Sequence, residues 1–311
     1  MATQYLMLNY LRFPSPYILG WLFLVAATQY AHVALLNGII QLSLFTLVVC
    51  LPLWFTGRMA YVDIGWPWGL VGIGIITLLF GSGDNFRVTA IAAIYLFIGG
   101  RMGAGAVVYL FQGILNTELP RYRYQRLRWE KAGIKNEKLM AQLEVLSQGL
   151  ANASFLALPA FVIASNPTRE ISAVEIAGFA IFLSGYIIES IADSQKLFFV
   201  NKMKQSGETN RVCDIGLWKY SWHPNYFGEW VVWLGLVVAA IPSWWLLQHK
   251  EPMPVWILLG LGLLYIVRIM YWVLNSYSGA EPAEYYSLQK RPGYAEYQEK
   301  TNMFFPGKGR M

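Results

Sequence analysis

The sequence predicts an all-α fold, a polytopic transmembrane helical bundle of seven to eight helices with cytoplasmic loops and a C-terminal amphipathic tail. Three observations predict it. Hydrophobic residues make up 56% of the 311 and charged residues 14%, with a mean hydropathy of +0.40, outside the usual range of soluble domains. Apolar runs long enough to cross ~30 Å of hydrocarbon, which takes ~20 helical residues, recur along the chain. Basic residues concentrate in every second connection between those runs, as membrane orientation requires. A single integral membrane domain over residues 1–311 follows, with a cytoplasmic amphipathic loop at 118–142.

Taken in order, the apolar windows lie near Tyr17 to Leu35, Gly38 to Phe55, Val62 to Phe80, Val88 to Leu115, Leu143 to Ser165, Ala173 to Ile191, Phe227 to Leu247 and Val255 to Leu274. Only Asn37 and Gly38 separate the first two. These form either a tight hairpin or a pair in which one helix packs without crossing, which reduces the count to seven. No cleavable signal peptide is evident, because Met1 to Pro16 is polar and aromatic with Arg12 alone basic.

The connection after the fourth window carries Arg121, Arg123, Arg126, Arg128, Lys131, Lys135 and Lys138. After the sixth come Lys196, Lys202, Lys204, Arg211 and Lys219, and after the eighth Lys290, Arg291, Lys300, Lys308 and Arg310. These faces are expected in the cytoplasm. Eight crossings put both termini there, and seven put the N-terminus outside. Within 118–142, Arg121, Arg126 and Arg128 alternate with Tyr122, Tyr124, Leu127 and Trp129, which suits a helix on an anionic membrane surface or a solvated loop helix. No internal repeat supports transporter-type symmetry.

Several classes fall away. Cys50 and Cys213 are too few and too differently placed for a disulfide framework or a metal cage. The net charge of +6 follows orientation rather than nucleic-acid binding, because the basic residues interleave with the spans.

Ionisable groups within spans cost ~2.5 to 3.5 kcal/mol each on insertion scales, so each asks for a partner or a function. They are His32, Asp63, Arg101, Glu175, Glu189, Asp193, Glu229 and Arg268. Asp63 lies about one turn inside the third window, beside Trp66 and Trp68. It is expected to hold its proton and engage a buried carbonyl, or else to cap the helix or pair with Arg101. Glu189 and Asp193, four apart, share one helix face, where they take hydroxyls or amides of a polar ligand or form a solvated helix end with Lys196.

The run from Asp214 to Glu229 crowds polar and aromatic groups into the entry of the seventh window. His223 before Pro224 disfavours helix, so the chain turns and presents His223, Asn225 and Tyr226 at the membrane boundary before Glu229 goes inside; the alternative is a bare aromatic belt. The tyrosine-rich basic tail from Ser278 to Pro306 is suited to closing over an anionic ligand, with Lys202, Lys204, Arg211 and Arg291 available to phosphates. Neither GxGxxG nor GxxxxGK[ST] occurs, so any nucleotide is held by the bundle.

Three stretches carry a family resemblance: Asp193-Ser-Gln-Lys-Leu-Phe, Gly216-Leu-Trp-Lys-Tyr-Ser-Trp-His-Pro-Asn-Tyr-Phe-Gly-Glu229 and Tyr294-Ala-Glu-Tyr-Gln-Glu-Lys-Thr-Asn-Met-Phe-Phe-Pro306. They resemble the steroid 5-alpha-reductase family in its bacterial branch of membrane reductases, specifically over Glu189 to Pro306. Toward the N-terminus only Asp63 and Arg101 match family positions. The resemblance implies NADPH bound between C-terminal helices and cytoplasmic loops, within 189–306, and reduction of the 4,5 double bond of a 3-oxo-4-ene steroid or a similar lipophilic enone entering from the membrane. It implies cofactor contacts from Asp193, Arg211, Tyr220, Asn225 and Glu229, with Tyr285 or Tyr286 from the tail. Glu189, Lys202, Lys204, Trp218, His223, Tyr226 and Arg268 complete the candidate cofactor set.

Asp63 falls where the family has the glutamate that engages the carbonyl. The family's partner tyrosine falls at Ile98, leaving Tyr61, Tyr95 or Tyr109 to supply a hydroxyl, and Trp222 stands where the related pattern has arginine before His-Pro. The catalytic candidates are therefore Asp63, Tyr61 and Tyr95. Membrane lipids are the other expected contact, and no nucleic acid or obligate protein partner is inferred. The rival reading is a methyltransferase of the isoprenylcysteine carboxyl methyltransferase type, which shares a His-Pro-x-Tyr stretch followed by a membrane glutamate but uses S-adenosylmethionine.

Overall fold

The computed structural model describes residues 10–308, so Arg310 of the last basic group lies outside the described residues. Among these, seven helices are long and apolar enough to cross a membrane: Ala31–Thr56, Met59–Phe80, Asn85–Phe111, Glu137–Ile163, Ala173–Ser206, Pro224–His249 and Met253–Lys290. No strand occurs among the described residues. The fold is the all-α polytopic bundle that hydropathy predicts, a multi-pass integral membrane protein. The chain divides into two compact units: Met1–Ser172 with Ala240–Tyr265, and Ala173–Ala239 with Ile266–Met311.

The first unit opens with α1 (Ser15–Ala27), only 13 residues long. At ~1.5 Å per residue it spans about 20 Å, short of the ~30 Å hydrocarbon core. It is followed by α2 (Ala31–Thr56), which includes a π-helical turn at Phe45–Cys50. The expected break at Asn37 and Gly38 is corrected, because α2 runs straight through both residues. Asn37 is fully buried, donates to the Asn152 carbonyl at 3.0 Å and accepts from Gln41 at 3.1 Å, so its amide serves the bundle rather than a turn. A Cβ at Gly38 would run into the Trp21 indole, so glycine here allows close approach. The break falls instead at Thr28, whose hydroxyl donates to Leu24 O at 2.8 Å and accepts from Tyr30 N at 3.1 Å.

Next come α3 (Met59–Phe80) and α4 (Asn85–Phe111), the latter capped by the Asp84 side chain. Their approach is close: a Cβ at Gly74 or Gly99 would meet the partner's backbone. Small residues at such crossings allow close van der Waals packing within lipid, where no hydrophobic drive exists. After α4, the charged segment forms α5 (Pro120–Lys131). It turns Tyr122, Gln125 and Trp129 inward and leaves Arg123, Glu130 and Lys131 exposed. The long α6 (Glu137–Ile163) is interrupted near Ser154, ahead of Pro159, which lacks the N–H an unbroken ladder needs.

The second unit is built on α7 (Ala173–Ser206), whose 34 residues make about 51 Å, longer than a bilayer core. Its partner is the first part of α8 (Pro224–His249). Gly178, Gly185 and the fully buried Ala192 repeat every seven residues along α7, and Gly228 and Gly235 do so along α8. A Cβ on Gly178, Gly185, Gly228 or Gly235 would strike backbone across the pair, so both helices need these glycines. The last span, Met253–Lys290, comprises α9 (Met253–Trp272), a π-helical turn (Val273–Tyr277) and α10 (Ala280–Lys290). The short α11 (Tyr294–Lys300) follows.

Candidate functional site

Two polar assemblies stand out, one in each unit. In the first, Asp63 sits in the opening turn of α3 and is met by α5. Arg121 forms an ion pair with Asp63 Oδ2, and the Tyr122 phenol donates to Oδ1 at 2.8 Å. The expected partner Arg101 is thus replaced by Arg121, and the expected tyrosines by Tyr122. The Tyr61 phenol accepts from Arg58 Nη2 at 2.9 Å, and Tyr95, almost fully buried, donates to Leu156 O at 2.6 Å. Both hydroxyls are engaged elsewhere. Burial, and then the charge of Asp63, push the Tyr122 phenol well above its ordinary value, so it remains a proton donor to the carboxylate.

Of the two roles expected for Asp63, the pairing one is found, with Arg121 as the partner. The helix carrying Arg121 is itself tied down: Arg126 Nη2 donates to Gly57 O at 2.6 Å and the Trp129 indole to buried Glu144 at 3.0 Å. Sequence reading missed Arg121 and Tyr122 as site residues, although both lay in a run already marked as amphipathic.

The second assembly forms where α7, the segment before α8 and the tail come together. The Gly228 crossing sets the α8 entry against the backbone of Glu189. One turn on, Asn225 Nδ2 donates to Asp193 Oδ1 at 3.1 Å. The Trp218 indole donates to Ala192 O at 2.9 Å, and Leu217 N to Gln195 Oε1 at 2.8 Å, which fastens the 3₁₀ turn Gly216–Lys219 onto α7. Gly216 has φ +54°, and the Gln195 amide fills the place of its missing side chain.

His223, expected at the membrane boundary, is buried. Its Nε2 lies 2.5 Å from Glu284 Oε1, and the Tyr226 ring stacks on it at 5.0 Å between centroids and 12° between planes. Glu284 also accepts from Tyr294 at 2.8 Å and from Gln298. The Tyr297 phenol donates to Trp218 O at 2.5 Å, and the end of the chain returns to this segment: Trp222 N to Asn302 O at 2.9 Å, Ser221 Oγ to Phe304 O at 2.9 Å and Gly307 N to Tyr220 O at 3.2 Å. Burial first, then Glu284, raises the Tyr294 phenol; burial, then Cys213 and Glu284, raises that of Tyr297.

Of the candidate cofactor residues, Glu189, Asp193, Trp218, His223, Asn225, Tyr226 and Glu229 therefore belong to this end of the second unit. Lys202 and Lys204 are exposed farther along α7, and Arg211 is exposed and paired with Glu208 at 2.7 Å within its own loop. Arg268 is exposed on α9, and the Tyr220 side chain points outward while its carbonyl holds the tail. Tyr285 and Tyr286 pack edge to face at 5.1 Å on α10. Glu284 and Ser287 were missed as site residues, although the spacing 284, 287, 291 places them on one helical face with Arg291, which the sequence reading offers to phosphates.

Residues 50–301 match the family described as a protein of unknown function (DUF1295), and the chain belongs to that family. No curated protein and no solved structure matches the chain.

Proposed function

We propose that this member of the DUF1295 family is an NADPH-dependent membrane reductase acting on a lipophilic enone, with its cofactor region facing the cytoplasm of a bacterial inner membrane. The observation that carries the reading is the assembly at the α8 entry. A hydrogen-bonded Asp193–Asn225 pair, a His223–Tyr226 stack and the Glu284 cluster meet there in a chain with no Rossmann or P-loop motif. This donor and acceptor set suits a nucleotide: carboxylate and amide for ribose hydroxyls and carboxamide, flat rings for stacking, basic groups for phosphate. The basic connections support the cytoplasmic side.

NADPH, when bound, supplies a hydride to the β carbon of the enone. The resemblance suggests Asp63, which is held by Arg121 and Tyr122, for the carbonyl end, and the proton completing the reduction reaches the α carbon from solvent. A 3-oxo-4-ene steroid is the substrate the sequence resemblance suggests.

The test is thermal unfolding of the detergent-solubilised chain with NADPH, NADH, S-adenosylmethionine or buffer alone. NADPH at a hundredfold excess over Kd is expected to stabilise by about 2.7 kcal/mol. Stabilisation by S-adenosylmethionine alone would replace this reading with the methyltransferase one.

A further inference from the structure

The bond between His223 Nε2 and Glu284 Oε1 joins the turn before α8 to α10, and both residues are buried, at 6% and 8% exposure. The carboxylate also takes the Tyr294 phenol at 2.8 Å on Oε1 and the Gln298 amide on Oε2. A carboxylate surrounded by donors serves as an acceptor, so the hydrogen of the His223 bond sits on Nε2. The ring is held on other sides as well. Tyr226 stacks on its face, and the Trp218 ring meets it edge-on with centroids 6.5 Å apart. The His223 backbone N–H donates to Ser221 Oγ at 3.2 Å, and that hydroxyl donates to Phe304 O at 2.9 Å. Turning the ring over would break the Glu284 bond.

This arrangement leaves Nδ1. A neutral imidazole protonated on Nε2 carries its lone pair there, and among the described residues that nitrogen has no hydrogen-bond partner. Its neighbours repeat the pattern: Trp222 Nε1 and Asn225 Oδ1 are buried without a partner among the described residues. The segment 222–225 thus holds one donor and two acceptors that the chain does not itself satisfy, and buried polar groups are ordinarily satisfied.

We infer that Glu284 is a positioning residue that fixes the Nε2–H tautomer of His223, so that Nδ1 accepts a hydrogen bond from a hydroxyl or amide N–H of the ligand held at the α8 entry. The inference rests on the reading of that entry as a nucleotide site and deepens it. Which ring nitrogen a histidine presents is set by the bond the other one makes. A lone pair repels a phosphate oxygen and attracts a neutral donor, so the ligand group is a carboxamide or a ribose hydroxyl rather than a phosphate. Glu284 acts only through His223.

The chain contains three histidines, so nitrogen-15 labelling of histidine in the full-length, detergent-solubilised protein resolves the His223 ring, assigned by its loss in His223→Phe. The unliganded chain is expected to carry a proton on Nε2 and none on Nδ1, and NADPH should shift the Nδ1 resonance while leaving Nε2 in place. His223→Phe keeps a ring against Tyr226 and should lose about ten- to a hundredfold in NADPH affinity. Glu284→Gln, whose amide can donate to Nε2 as well as accept from it, should show both tautomers and a smaller loss. A reduced acetylpyridine analogue of NADP lacks the carboxamide N–H. If His223→Phe no longer weakens binding of that analogue, Nδ1 serves the carboxamide, and if it still does, Nδ1 serves a hydroxyl. Binding of S-adenosylmethionine in place of NADPH, weakened by the same variants, keeps the role of His223 and Glu284 and removes the reductase reading. Should His223→Phe not fold, His32→Gln and His249→Gln assign the ring by elimination and the Nδ1 response decides. The inference is overturned if Nδ1 carries the proton, if neither ligand binds the unmodified chain, or if Nδ1 is unmoved by the one that does.

Discussion

A carboxylate about one turn inside an apolar helix costs ~2.5 to 3.5 kcal/mol on insertion scales unless something answers it, and at Asp63 two successive residues of α5 do. The answer is local in space and distant in sequence, since Arg121 lies 58 positions away. Hydropathy can mark Asp63 as unusual, but it cannot name a partner that only the return of α5 provides. This is why Arg101, Tyr61 and Tyr95 were plausible from the sequence and why Tyr122 was not seen. Asp63→Asn is expected to strip Arg121 of its counter-charge. With that side chain 35% exposed, the loss should be about 1 to 3 kcal/mol, below the 3 to 5 of a fully buried pair. NADPH-dependent turnover should fall with it, and full turnover in Asp63→Asn would end the role proposed for Asp63. Tyr95→Phe leaves the Leu156 carbonyl bare and should cost about 1 to 3 kcal/mol with turnover retained.

The same scale carries a pH dependence. Tyr294 and Tyr297 have phenols raised in the folded state above the ~10 of a free tyrosine. A group raised on folding gives stability that is complete below its unfolded value and is lost as pH climbs toward the folded one. Urea midpoints should therefore fall between about pH 10 and 12, and the Tyr294→Phe, Tyr297→Phe double variant should flatten that fall. An alkaline limb of unchanged slope would show that these phenols do not govern it.

At the scale of elements, what was legible is what depends on composition alone. Length and hydropathy suffice for a spanning helix, and seven of the eight windows each overlap a single long helix. The first straddles α1 and the start of α2, because Asn37 and Gly38 read as breakers only while Asn152 and Trp21 are unknown. The glycines of α7 and α8 were equally visible and equally silent, since a seven-residue repeat of small residues marks an interface without naming its partner. Gly235 lets the Phe182 backbone approach, so a Cβ there would collide with atoms that cannot rotate away. Gly235→Leu is expected to push α7 and α8 apart, at a cost of at least the 1 to 3 kcal/mol typical of overpacking. Disulfide trapping of cysteines placed along the two helices would show the separation, and unchanged cross-linking would refute the close-contact account.

At the scale of the whole chain, the second unit is assembled from Ala173–Ala239 and Ile266–Met311, so its integrity depends on the return of the tail. The segment 220–222 is held by three bonds to the chain end, at Asn302, Phe304 and Gly307. Phe304 and Phe305 add edge-to-face contacts to Phe227 and Trp230. These aromatic contacts, at ~0.5 to 1.5 kcal/mol each beyond burial, fix the α8 entry on which His223, Asn225 and Tyr226 stand. The sequence showed a tail ending in aromatics and proline, and its amphipathic character pointed to closure over a ligand. The tail also contacts the chain's own turn before α8, and it reaches the candidate cofactor residues through Glu284 and Tyr294. Ending the chain at Thr301 removes all three bonds and both phenylalanines while leaving α10 and α11 intact. Hydrogen exchange should then accelerate at the amides of 215–223, NADPH protection should be lost, and exchange in α3 and α4 of the first unit should not change. Retained protection in the shortened chain would mean that the turn before α8 holds its geometry from α7 alone, through Gln195 and Ala192, and that the tail contributes to the site only through α10 and α11.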